Sequence, residues 1–232
     1  MNIRAARKIR ETSGPTVLAV DDIADTELVS RSSGLLVGVS RNVLADPIFG
    51  TIAIGSTLNR WYPMAGWTAD VLSSGGSGAA DKLRALPIVI GIGHTIEQVA
   101  INVTVAIGGS NVRLGIYADD GTGYPGALVA DFGSVSSATT GVKTITGLSY
   151  QIQNDKRYWM AIWQSGAAQS RGVTPAALFP CNGTDSALGT TMAVGWEASL
   201  AYTTFPSTYP ASAAVLASAS GAFPVYFARF SS

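Results

Sequence analysis

The residues in this chain whose types could do chemistry are few and far apart. There is one histidine, His94, in IGIGHTIEQ, and one cysteine, Cys181. A Ser-His-Asp arrangement would have to use His94, and serines and aspartates are plentiful enough to supply its partners. No G-x-S-x-G elbow is present to expose a nucleophilic serine, so an ordinary turn histidine between two strands is the better reading. Cys181 permits no intrachain disulfide, and one His with one Cys makes no zinc cluster.

Asp119 and Asp120 are adjacent in DDGTG, with Gly121, Gly123 and Gly126 close by. A glycosidase needs two carboxyl groups facing each other across a bond, roughly 5–9.5 Å apart. Neighbours on one loop more often point apart. Calcium would also suit oxygen ligands of this kind, but the loop lacks the spaced third acid and closing Glu of an EF-hand. A tight turn is the simplest account, because Asp and Gly both accept turn backbone and Pro125 presets φ. The ranking is therefore turn, then metal, then catalysis. Neither GIGHT nor DDGTG leads into a helix, so no nucleotide site is assigned. The expectation is a chain with no catalytic site, no metal and no cofactor.

Binding residues are a separate matter. Trp61, Tyr62 and Trp67 lie in a Gly/Pro-rich stretch where a core role is not obvious. They read either as a platform on which a sugar ring stacks or as anchors buried against a neighbouring subunit, and the interface is favoured. Arg4, Arg7, Lys8 and Arg10 fall in the first ten positions with no acid among them. They read as solvated charge that adds to docking rather than as a nucleic-acid arm, since no second basic face supports one.

The elements that must position these residues are strands. Ile101, Val103, Val105 and Ile107 alternate with Asn102, Thr104 and Ala106, which puts β-branched residues on one sheet face. Val112, Leu114 and Ile116 repeat the pattern, with Arg113, Gly115 and Tyr117 opposite. RYWMAIW, 157–163, is almost wholly apolar and predicts a strand buried on both faces, with Trp159 and Trp163 in core. FPVYFARF, 223–230, predicts a closing strand. Further strands are expected in LPIVIGI, ALVADF, VKTITGL and TTMAVGW, with turns in IGGSN, DDGTGYPG, FGSVSSATTG and QNDK between them.

Composition agrees. The chain has 232 residues, 47% of them hydrophobic, and 13% charged, about half the usual share. Fifteen basic and fifteen acidic residues cancel, so no overall field draws in nucleic acid or an anionic membrane. The start lacks the long apolar run of a signal peptide, because TVLAV stops at Asp21 and Asp22. The long uncharged stretch 198–228 is broken by Pro206, Pro210 and Pro224 and cannot cross a bilayer as a helix. A soluble product made inside the cell is expected.

These signals predict an all-β chain: a short N-terminal β-rich arm, 1–41, a Gly/Pro/Ser-rich connector, 42–82, and a jelly-roll-like antiparallel β-sandwich, 83–232. The arm holds only TVLAV, TELVS and GLLVGV, too little to bury a core of its own. The connector, with SSGGSG at 73–78, reads as a flexible link or as a loop laid over a neighbour.

Two stretches carry a resemblance. IRETSGPTVLAVDDIADTELVSRSSGLLVGVS, 9–40, resembles an N-terminal module of tailed-bacteriophage virion proteins, with "SGPT-L", "I-A-D", an "LVSRS" strand and "G-x-x-V-G" in order. NVRLGIYADDGTGYPGALVADFGSVSSATTG, 111–141, followed by RYWMAIWQ, is similar to β-sandwich modules of phage fibre and other virion surface proteins. There an "R-x-G-I-Y" strand leads through an acidic Gly-Pro loop to "P-G-x-L-V-x-D-x-G". The resemblance covers the first 40 residues and 83–232 in outline. It implies a non-enzymatic virion structural protein of the tail-fibre, spike or adaptor group, made in the host cytoplasm and carried on the particle. The arm would dock to other virion proteins of the tail, the portal region or the capsid. The sandwich would project, with host cell-surface glycan as one candidate contact. A homotrimer is implied by fibre proteins, not by the residues. A capsid decoration protein or head fibre is the alternative. A glycan depolymerase is disfavoured, since 232 residues with one His leave little room for a substrate groove.

Overall fold

The computed structural model describes residues 27–32, 35–40, 60–65, 72–76, 78–88, 95–153, 156–175, 178, 192–217 and 221–231. The chain divides into two compact units, Met1–Gly50 and Thr51–Ser232. In the first, β1 (Glu27–Ser32) and β2 (Leu35–Ser40) form a two-stranded antiparallel sheet, with Glu27 opposite Ser40 and Ser32 opposite Leu35.

The second unit is all-β, with no α-helix among its described residues. Its strands open with β3 (Trp61–Pro63), β4 (Leu72–Gly76), β5 (Lys82–Pro87) and β6 (Thr95–Val105). Then come β7 (Asn111–Asp119), β8 (Pro125–Ser136), β9 (Gly141–Ile145), β10 (Tyr150–Gln151) and β11 (Tyr158–Gln164). β12 (Gln169–Val173), β13 (Ala193–Ser199), β14 (Ala214–Ala217), β15 (Phe223–Pro224) and β16 (Phe227–Ser231) complete it. They make two antiparallel sheets. Sheet I runs β15-β12-β6-β16-β3, with β4 on β12 and both β9 and β10 on β6; sheet II runs β14-β13-β5-β11-β7-β8.

The alternation seen in the sequence is what brings the sheets together. From sheet I, Ile96, Val99, Ile101, Ala228 and Phe230 enter the main core. From sheet II, Val112, Leu114, Ile116, Met160 and Ile162 meet them. A large aliphatic or aromatic side chain buried in this way contributes about 1.5–3 kcal/mol. The apolar row outlasts the core, since Val105 at the end of β6 and Ile107 just beyond it are exposed. Sheet II is buried on both faces at β11, all seven of whose residues are buried. Tyr158, Met160 and Ile162 face the main core, while Trp159, Ala161 and Trp163 face a second apolar cluster on the other side.

The structure departs from the sequence reading in two places. The described part of 42–82 supplies strands to the sandwich: β3 pairs with β16, and β4 pairs with β12. The Gly/Ser composition of β4 serves close approach of backbones here. A Cβ at Gly76 would lie 2.8 Å from the Ser170 carbonyl oxygen, and one at Gly172 on β12 would lie 2.2 Å from that of Phe223. The second departure is the closing strand, which is split. Phe223–Pro224 pairs with β12, then Phe227–Ser231 pairs with β6 and β3. Pro224 has no N–H with which to continue a ladder, so the chain breaks there and restarts.

Candidate functional site

The second apolar cluster lies on the outward face of sheet II and is roofed by residues 200–213. Leu83, Ala85, Tyr117, Trp159, Ala161, Trp163 and Ala198 form its floor, and Phe205 and Tyr209 come down from the roof. Phe205 stacks on Trp163 with centroids 5.9 Å apart and meets Tyr117 edge-on. Tyr209 meets Tyr117 edge-on at 5.2 Å. These are the offset and T-shaped geometries that aromatic quadrupoles favour. Gly115 makes the fit, because a Cβ there would lie 2.6 Å from the Phe205 ring.

Polar atoms fasten the roof. The Tyr117 hydroxyl donates to Pro206 O at 2.9 Å, and the Trp163 indole to Leu200 O at 3.2 Å. The Tyr209 hydroxyl shares its proton between Leu83 O at 2.9 Å and Trp196 O at 3.1 Å. Leu128 N donates to Ser207 O and Tyr209 N to Gly126 O, so the segment also pairs with the start of β8. That edge is protected further along by three register shifts between β7 and β8. Bulges of this kind blunt an edge against foreign strands.

The Asp119–Asp120 loop joins this structure at the end of β7. Asp119 Oδ1 accepts from Gly121 N at 2.8 Å and Gly123 N at 3.3 Å, and its Oδ2 accepts from the Trp159 indole at 2.9 Å. Asp120 Oδ1 accepts from both Thr122 N and Thr122 Oγ1. Those Thr122 bonds hold the Asp120 carboxyl below the usual aspartate range. Tyr124 closes the loop against the roof: its ring lies 4.5 Å from Trp196 and its hydroxyl donates to Pro210 O. The two carboxylates thus serve different donors and build a turn. Among the described residues no three of His, Cys, Asp and Glu gather as metal ligands would.

An ionic cluster missed by sequence reading sits where β5 meets β13. Glu197 pairs with Arg84 at 2.7 Å and with Lys82 at 3.2 Å. Burial pushes the Glu197 carboxyl up, but the two cations outweigh it and leave it below the usual glutamate range. The partners are over a hundred positions apart in sequence, and only the pairing of β13 with β5 brings them together.

The aromatic trio divides. On β3, Trp61 points outward and is 40% exposed, while Tyr62 points inward and packs on Phe230 and the main core. Adjacent strand residues face opposite sides, so they cannot share one platform. Across the outward face Trp61 lies opposite Arg229, which is paired with Glu97 at 2.9 Å. Trp67, His94, Cys181, Arg4, Arg7, Lys8 and Arg10 lie outside the described residues.

These features define an antiparallel two-sheet β-sandwich with a roofed second core. Compared with protein-family models, curated proteins and solved structures, the chain matches none.

Proposed function

We propose that this chain is a non-enzymatic structural protein of a tailed-bacteriophage virion, of the tail-fibre, spike or adaptor group. Residues 1–41 are its docking device and the sandwich is its projecting body. What supports the reading is the partition of the molecule. The two stretches that resemble virion modules fall in separate units, 9–40 in the first and 111–141 in the second. The latter forms the β7–β8 hairpin and its acidic loop. The second unit has a core of its own, and its paired carboxylates are engaged in a turn rather than aimed at a substrate. A two-stranded sheet such as β1–β2 is marginal alone and gains most by adding to a partner's strands. The chain acts as a homotrimer, with Trp61 offered to a neighbouring subunit.

The test is to purify particles and count copies of this chain on each. A few to a few dozen copies fit a tail-associated role. Hundreds fit capsid decoration instead, and absence from the particle overturns the virion assignment. Deleting residues 1–41 is expected to leave soluble protein that no longer incorporates.

A further inference from the structure

Asp120–Gly121 is the sole Asp–Gly pair in the sequence, and it sits on the exposed loop between β7 and β8. Asp–Gly is chemically the weakest kind of aspartyl link. The Gly nitrogen, unhindered by a Cβ, attacks the Asp Cγ, and water leaves. The resulting succinimide takes up water at either carbonyl, giving aspartate or isoaspartate. Two things must happen first. The nitrogen must give up its proton, and the carboxyl must be in its protonated form, because an ionised carboxylate is a poor electrophile.

Both reactive groups are occupied in this loop. The Gly121 N–H donates to Asp119 Oδ1 at 2.8 Å, so the proton that must leave is held by an anion. A deprotonated nitrogen there would face that carboxylate at close range, which disfavours it. The Asp120 carboxylate accepts two bonds from Thr122, at 2.8 Å from N and 2.7 Å from Oγ1. They favour the ionised, unreactive form and hold the side chain in a turn towards residue 122. Asp119 is itself steadied by the indole of Trp159, on the buried strand β11.

We propose that this arrangement is a chemical lock on the Asp120–Gly121 bond, with Asp119 restraining the nucleophile and Thr122 the electrophile. Without it, isoaspartate would add a methylene to the main chain beside the Asp119–Pro125 pair that closes the hairpin. It would also disturb Tyr124, which ties the loop to the roof. The lock does not depend on the functional reading. It matters most in a protein that is not renewed once assembled, as that reading implies.

The experiment incubates the full chain, folded and urea-unfolded, near neutral pH and locates isoaspartate by peptide mapping. The incubation is continued until isoaspartate at position 120 is measurable in the unfolded sample, which shows that it was long enough. The folded chain is expected to form isoaspartate at position 120 about tenfold more slowly than the unfolded one. That factor corresponds to ~1.4 kcal/mol, close to one hydrogen bond to a charged group. Thr122→Val is expected to raise the folded-chain rate several-fold, while Thr122→Ser, which keeps the hydroxyl, stays at the wild-type rate. Equal rates in folded and unfolded wild type would overturn the lock. A Thr122→Val rate equal to that of the folded wild type would overturn the role of Thr122, and the wild-type comparison stands even if that variant fails to fold.

Discussion

The hydroxyl of Tyr226, on the sheet I side, donates to the carbonyl of Gly115 in sheet II at 2.8 Å, and Tyr226 is fully buried. The bond crosses the main core, fixing how the two sheets sit on each other. Tyr226→Phe removes the donor and leaves a buried carbonyl short of a partner. It is expected to destabilise the fold by about 1–3 kcal/mol, read from the urea midpoint with an unchanged slope.

Alkali should weaken the fold through the same kind of group. Burial raises the hydroxyl pKa of Tyr117, Tyr150, Tyr209 and Tyr226 above the ordinary tyrosine value. Their contribution is complete below the unfolded value near 10 and is lost as pH climbs above it, because the unfolded chain releases the protons first. The denaturation midpoint is expected to fall steeply above that pH, and less steeply in Tyr209→Phe. A midpoint flat through the alkaline range would contradict this.

Acid acts through Glu197, whose carboxyl is held low by Arg84 and Lys82 despite its burial. A depressed pKa contributes stability above the unfolded carboxylate value that is lost as pH drops through the folded one. Glu197→Gln should therefore be less stable than wild type at neutral pH and show a shallower loss in acid. Melts of both proteins across that range provide the check.

The roof over sheet II is a load on stability as well as a cover. Phe205→Ala removes the ring that stacks on Trp163 and meets Tyr117 edge-on. The expected cost is about 3–5 kcal/mol, the range for deleting a buried phenyl group. Tryptophan emission should shift to longer wavelength as Trp163 meets water, and a hydrophobic dye should bind more strongly.

Chain boundaries can be tested by truncation. A chain beginning at Thr51 keeps β3 and β4 and is expected to melt cooperatively. One beginning at Asp81 removes the cover that Tyr62 gives Phe230 and bares the edge of β16. It should be much less stable or insoluble. Trp61→Ala, by contrast, should barely move the monomer's melting temperature but weaken association, as followed by light scattering.

The strands that built the main core were legible because their residues alternate: β6 and β7 by period two, and β11 by an unbroken apolar run that only a doubly buried strand tolerates. The acidic loop was legible as a turn for the same local reason, since Asp and Gly carry their conformational bias with them. The roof was not. Residues 200–213 are rich in Ser, Thr and Pro, and nothing in their pattern says that Phe205 and Tyr209 land on a sheet face. The strand β4 was hidden because glycine and serine mark both a loose link and a tight backbone crossing. The Glu197 cluster needed the pairing of β13 with β5, which no local window contains.

The place of β16 between β6 and β3 has a consequence for how the molecule is made. β3 is the earliest described strand of the second unit and β16 the latest, and they are neighbours. As the ribosome feeds the chain out from its N-terminus, β3 has no partner until nearly the whole unit has emerged, and β6 lacks one of its flanking strands until then. The last pairings of sheet I, β16 with β6 and with β3, therefore form only after residue 231 has left the exit tunnel, by a long-range closure of the kind that makes β-proteins slow to fold. Until that moment β3 stays unpaired and the Thr95–Ala100 edge of β6 stays open, and a chaperone that holds unpaired strands has its longest opportunity to act.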